Sequence, residues 1–92
     1  MSRTGTEFSD NLQIIDITYS RKFLQAELSD HRIISVPLHW YPRLERANAA
    51  QRDNWKLVGH GYGVHWPDVD EDISVKMIIE GLPSLEARHI DA

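Results

Sequence analysis

The chain has no cysteine among its 92 residues. That excludes disulfides, thiolate metal sites and a cysteine nucleophile, and it suits a reducing compartment. Long apolar runs are missing too. Nothing approaches the ~20 residues of a membrane-spanning helix, and Met1–Asn11 (MSRTGTEFSDN) lacks the apolar segment of a signal peptide. Positive charge is scarce: ten Lys and Arg against fourteen Asp and Glu leave a formal net charge of −4. Such a balance gives no global attraction for a phosphate backbone. There is no Gly-rich phosphate loop and no nucleophile motif beside a histidine. The expectation is a cytoplasmic protein of one domain, not an enzyme, with no cofactor and no metal. At this length only roughly two thirds of the unfolded surface is buried, so the core is small.

What is present is periodic. Met1–Asn11 reads as a polar tail, 12–82 as a single domain and 83–92 as a second tail in which Leu85 and Ile90 have the means to pack. From Leu12 the pattern has period two: Ile15, Ile17 and Tyr19 share one strand face, with Asp16 and Thr18 on the other. Leu24, Ala26 and Leu28 mark a second strand and Ile34, Val36 and Leu38 a third, joined by short polar turns into an antiparallel meander. Pro37 cannot donate to a ladder, so the third strand ends there or lies at an edge. Pro42 opens a short helix over Arg43–Ala47, and Asn48 with Gln51 has capping-box spacing for another, to about Asn54. Trp55, Leu57 and Val58 form a strand, Gly59-His60-Gly61 a turn, and Tyr62, Val64 and Trp66 the returning strand. Ile73–Glu80 reads as a helix stopped by Gly81 and Pro83. The fold class expected is therefore α+β: a three-stranded antiparallel meander, two short helices, a β-hairpin and a C-terminal helix.

Aromatic, imidazole and carboxylate groups crowd into Asn54–Val75, the stretch around which candidate sites gather. Asp68-Val69-Asp70-Glu71-Asp72 opens like a calcium loop, but the sixth and twelfth positions are Ile73 and Ile79 where Gly and Glu are needed. Capping of the last helix by these acids is the simpler reading, with Asp68 and Glu71 at capping-box spacing. His39, His60 and His65 lack the i, i+4 spacing of a helical zinc pair. His65, Trp66 and Asp68 form a candidate polar cluster, with Asp68 or Asp70 near enough to orient the imidazole. Trp55 and Trp66 are expected in the core. Trp40, Tyr41 and Arg43, together with Asp70, Glu71 and Asp72, are the candidate partner-binding residues: an exposed aromatic pair, and acids opposite the basic set Arg43, Arg46 and Arg52.

The ordered motifs are specific. Val36-Pro37-Leu38, Trp40-Tyr41-Pro42-Arg43-Leu44, Gln51-Arg52 with Asn54-Trp55, Gly61-Tyr62-Gly63-Val64-His65-Trp66 and Asp70-Glu71-Asp72-Ile73-Ser74-Val75 resemble the domain of unknown function 2442 family of prokaryotic proteins, over roughly Ile14–Leu82. The resemblance implies a small α+β fold. It also implies gene company: some members precede a helix-turn-helix module, and others are encoded beside a small basic protein in toxin–antitoxin-like pairs. No catalytic residue comes with it. One departure is His31, where the family tends to have Gly after the Asp of the second hairpin turn.

Three functions compete. The first is a protein-binding module, antitoxin-like, whose partner is a small basic toxin-like protein. The second is a transcriptional or nucleic-acid-binding module, which the acid excess opposes. A small-ligand-binding domain at Trp40, His65 and Trp66 is the third.

Overall fold

Residues 12–84 are described by the computed structural model, so the tail Met1–Asn11 and the expected packing of Leu85 and Ile90 lie outside the described residues. Strands β1 (Ile14–Tyr19), β2 (Phe23–Leu28) and β3 (Ile33–Pro37) pair antiparallel in the order β1-β2-β3. Leu24, Ala26 and Leu28 point into the core from β2 as their alternation requires. β3 is an edge strand, and Pro37 is its last residue. The phase of β1 differs from expectation. Two residues of β1 oppose one of β2 between Ile14 and Asp16, and such a bulge resets a period-two pattern. Ile14 is therefore buried, while Ile15 stands out at 44% exposure.

A single 3-10 turn (Leu38–Trp40) leads into α1 (Pro42–Glu45), which starts on its proline. Helix α2 (Ala49–Asp53) follows, closed by the capping box: Asn48 Oδ1 accepts from the Gln51 amide at 2.8 Å, and Gln51 Oε1 from the Asn48 amide at 3.0 Å. The chain then builds a second antiparallel sheet from β4 (Lys56–Val58), β5 (Gly63–Trp66) and β6 (Glu71–Ser74), in that order. Helix α3 (Val75–Glu80) ends at Gly81, whose φ of 71° is the left-handed conformation glycine adopts without a Cβ clash.

Strand β6 replaces the expected helix caps. Asp70 takes a φ of 55°, turning the chain so that Glu71–Ser74 returns along β5, with Trp66 opposite Glu71 and Val64 opposite Ile73. The N-cap of α3 is Ser74, whose Oγ accepts from the Met77 amide at 3.2 Å. None of the acids between Asp68 and Asp72 caps it.

The two sheets share one core: Ile14, Ile17, Leu24 and Val36 from the first meet Val64, Trp66 and Ile73 from the second, with Tyr41, Leu44, Val75 and Ile78 from the helical parts. They are also stitched through the Gly59-His60-Gly61 turn. Ile14 N donates to Gly61 O at 2.7 Å and Gln13 Nε2 to His60 O at 2.7 Å. Gly61 has φ 88°, and a Cβ there would sit 3.1 Å from Gln13 Cβ, so both backbone and space call for glycine. At the other end Ser84 is buried, and its amide donates to Trp40 O at 3.1 Å. No described helix is long and apolar enough to cross a membrane.

Candidate interaction site

Several residues singled out from the sequence serve the interior. Tyr41 is 0% exposed, so it is not half of an exposed aromatic pair; its phenol donates to Leu82 O at 2.9 Å and ties the 3-10 turn to the end of α3. Only half-buried Trp40 of that pair reaches the surface. Glu71 is 6% exposed, on the inward face of β6 beside Trp66. Arg43 and the acids are not separated at opposite ends of the molecule: Arg43 donates to Asp70 O at 2.8 Å. Arg52 likewise turns inward, donating to Leu44 O and Glu45 O at 2.9 and 2.8 Å with its guanidinium 5.8 Å from the centre of the Tyr19 ring.

Trp66 belongs to the core as expected, and its indole N–H completes a polar node between the sheets. It donates to Tyr19 Oη at 3.0 Å and Arg52 O at 3.1 Å, while the Tyr19 hydroxyl donates to Arg52 O at 2.8 Å. Burial pushes the Tyr19 phenol above its ordinary pKa, against the hydrogen bond from Trp66 and the charge of Arg52, which pull the other way. The node holds strand, helix and strand together. Its spacing of 33 and 47 residues left no local signal in the sequence.

The expected cluster of His65, Trp66 and Asp68 does not form. His65 and Trp66 are neighbours on a strand and face opposite ways, and Asp68 Oδ2 accepts from Asn54 Nδ2 at 3.1 Å. The partner of His65 is Asp72, directly across on β6, with Nδ1 2.8 Å from Oδ1. The tautomer protonated at Nδ1 donates to the carboxylate. Among the described residues no three His, Asp or Glu side chains converge on a point that would hold a metal.

That histidine–aspartate pair borders a hollow. The outer face of the second sheet carries two cross-strand rows, Lys56–His65–Asp72 and Val58–Gly63–Ser74. Gly63 has no side chain, and a Cβ there would lie 3.4 Å from both Val58 Cγ2 and Ile73 O. Gly63 lies in the floor of a hollow of about 240 Å³, walled by Val58, Tyr62 and Met77 and edged by Asp72 and Ser74. Val58 and Tyr62 are exposed beside it.

The family described as "Protein of unknown function (DUF2442)" matches residues 14–84. The chain belongs to this family. A search of curated proteins found no match. Two solved structures share the DUF2442 chain's fold. One is a crystal structure of a protein of unknown function from Rhodospirillum rubrum, 24% identical, with a TM-score of 0.68 over 84% of this chain and 95% of that one. The other is a solution structure of an uncharacterized protein from Chromobacterium violaceum, 16% identical, with a TM-score of 0.69 over 86% of this chain and 74% of that one. In this DUF2442 chain the motif Gly61–Trp66 supplies the sheet-linking turn, the floor of the hollow and the indole of the polar node. The signal that would have found the hollow is the alternation Glu71-Asp72-Ile73-Ser74, which marks β6 and hence places Asp72 and Ser74 across from His65 and Gly63.

Proposed function

We propose that this DUF2442 domain is a non-enzymatic protein-binding module, antitoxin-like in kind, that takes a small basic partner on the outer face of its second sheet. One observation carries the reading: exposed Val58 and Tyr62 gather at the Gly63 hollow with the exposed carboxylate of Asp72 on the neighbouring strand. Single exposed apolar residues are ordinary, whereas an apolar patch rimmed by polar groups is the form of an interaction site. β4 adds to it, being a short edge strand that pairs only with β5 among the described residues. The net charge of −4 favours a basic partner and speeds the encounter. His65 and Asp72 have the geometry of an oriented base, but the Ser74 hydroxyl on the same strand face is engaged in capping α3.

Co-expression with the genes flanking its own, followed by size-exclusion chromatography, tests the proposal. The expected result is a stoichiometric complex with a small basic protein, weakened by added salt and by Val58→Arg. The chain eluting alone, or a complex indifferent to Val58→Arg, would overturn it.

A further inference from the structure

We infer that the Gly63 hollow is an anchor for one arginine side chain of the basic partner, an inference that rests on the binding reading above. Size comes first. At about 240 Å³ the hollow is smaller than the ~300–1,000 Å³ of small-molecule sites, and it suits a single side chain. Its walls are apolar where a side-chain stem would lie, at Val58 and Met77, and aromatic at Tyr62. Its edge is anionic at Asp72, whose side chain is 70% exposed. His65 engages Oδ1 and fixes the carboxylate, and among the described residues no side chain pairs with Oδ2. The one cation in the same cross-strand row, Lys56, lies two strands away from Asp72, with His65 between them.

Arginine matches this set of groups better than lysine does. Its methylene stem lies along apolar surface, and its planar guanidinium stacks on an aromatic ring while donating two parallel hydrogen bonds to a carboxylate. An ammonium is a strongly hydrated point charge that gains less from the ring and from the flat walls. Phenylalanine would use the walls and leave Asp72 Oδ2 without a partner.

The test is a titration of the isotope-labelled full chain with N-acetylarginine amide, N-acetyllysine amide and N-acetylphenylalanine amide at constant ionic strength, read by amide chemical shifts. Expected are saturable shifts confined to Val58, Gly63, Asp72, Ser74 and Met77, with arginine binding tightest. Asp72→Asn should weaken the arginine amide by up to about fivefold, the upper end for one solvent-accessible ion pair. Gly63 does not need a positive φ, and a Cβ there would meet Val58 Cγ2 and Ile73 O at 3.4 Å, so Gly63→Ala keeps the fold, raises the floor of the hollow and should weaken the localised shifts. Scattered shifts, equal binding of the arginine and phenylalanine amides, or an unchanged affinity in Asp72→Asn would each overturn the anchor. The two proposals fail separately. A basic-partner complex that Gly63→Ala leaves intact refutes the anchor alone, and arginine amide binding without any basic partner on co-expression refutes the binding reading alone.

Discussion

His31→Gly should stabilise the domain, and the hairpin between β2 and β3 shows why. Leu28 N donates to Arg32 O and His31 N to Leu28 O, both at 2.8 Å, leaving Ser29, Asp30 and His31 as a three-residue loop. Such loops end on a left-handed residue, usually glycine. His31 occupies that place with φ 76°, while Asp30 keeps a negative φ, so the turn is not the two-residue primed turn that an Asp-Gly pair would make. Little holds the imidazole in compensation: its side chain is 85% exposed, and Nδ1 is 4.0 Å from Glu27 Oε2. A residue with a Cβ gives up ~1–2 kcal/mol in the left-handed region, and glycine returns ~0.4–1 kcal/mol through a more flexible unfolded chain. The net gain is about 0.5–1 kcal/mol, or roughly 3–6 °C in the melting midpoint of a domain this size. Urea and thermal melts of wild type, His31→Gly and His31→Ala decide it. Alanine keeps the Cβ and should gain nothing. A lower midpoint for glycine, or an equal gain for alanine, refutes the backbone argument.

Tyr19→Phe removes one donor and one acceptor from the node but leaves the Trp66 indole bonded to Arg52 O, so a loss of about 1–2 kcal/mol is expected by chemical melt. Because the folded phenol has a raised pKa, its contribution is whole below the unfolded value near ~10 and is lost as pH rises through the folded value. Wild type should therefore lose stability above that pH with a slope that Tyr19→Phe lacks, and parallel alkaline profiles would contradict this. Ser74→Ala should cost about 1 kcal/mol as a lost N-cap. Asp68→Ala should stay within ~0.5 kcal/mol, since Asp68 caps nothing and bonds only the exposed Asn54 amide; the reverse ranking of these two would restore the acids as caps.

How far the sequence carried the fold depends on how local each determinant is. The alternation of Leu24, Ala26 and Leu28, the Asn48–Gln51 box and the Gly81 stop are short-range signals, and each stands in the structure. The bulge at Ile15 was hidden because Ile14 and Ile15 are chemically identical, and the choice between them is made by pairing with β2. The acids before Ile73 satisfied the spacing of a helix start, while Ser74, immediately before the helix, is the residue that caps it. Tyr41 looked like a surface aromatic since nothing local shows that its hydroxyl finds Leu82 O 41 residues on. The hollow depends on strand register twice over, through Val58 with Gly63 and Gly63 with Ser74. Of the candidate partner-binding residues, Asp70 and Asp72 remain exposed, Trp40 is half-buried, and Tyr41 and Glu71 are interior.

Amide hydrogen exchange on the co-expressed complex, compared with the free chain, tests the binding face most directly. Added protection is expected over Val58–Gly63 and Asp72–Met77, around the hollow, and none at Gln25 and Ser35 on the outer face of the first sheet. Protection on the first sheet with the hollow unchanged would contradict it.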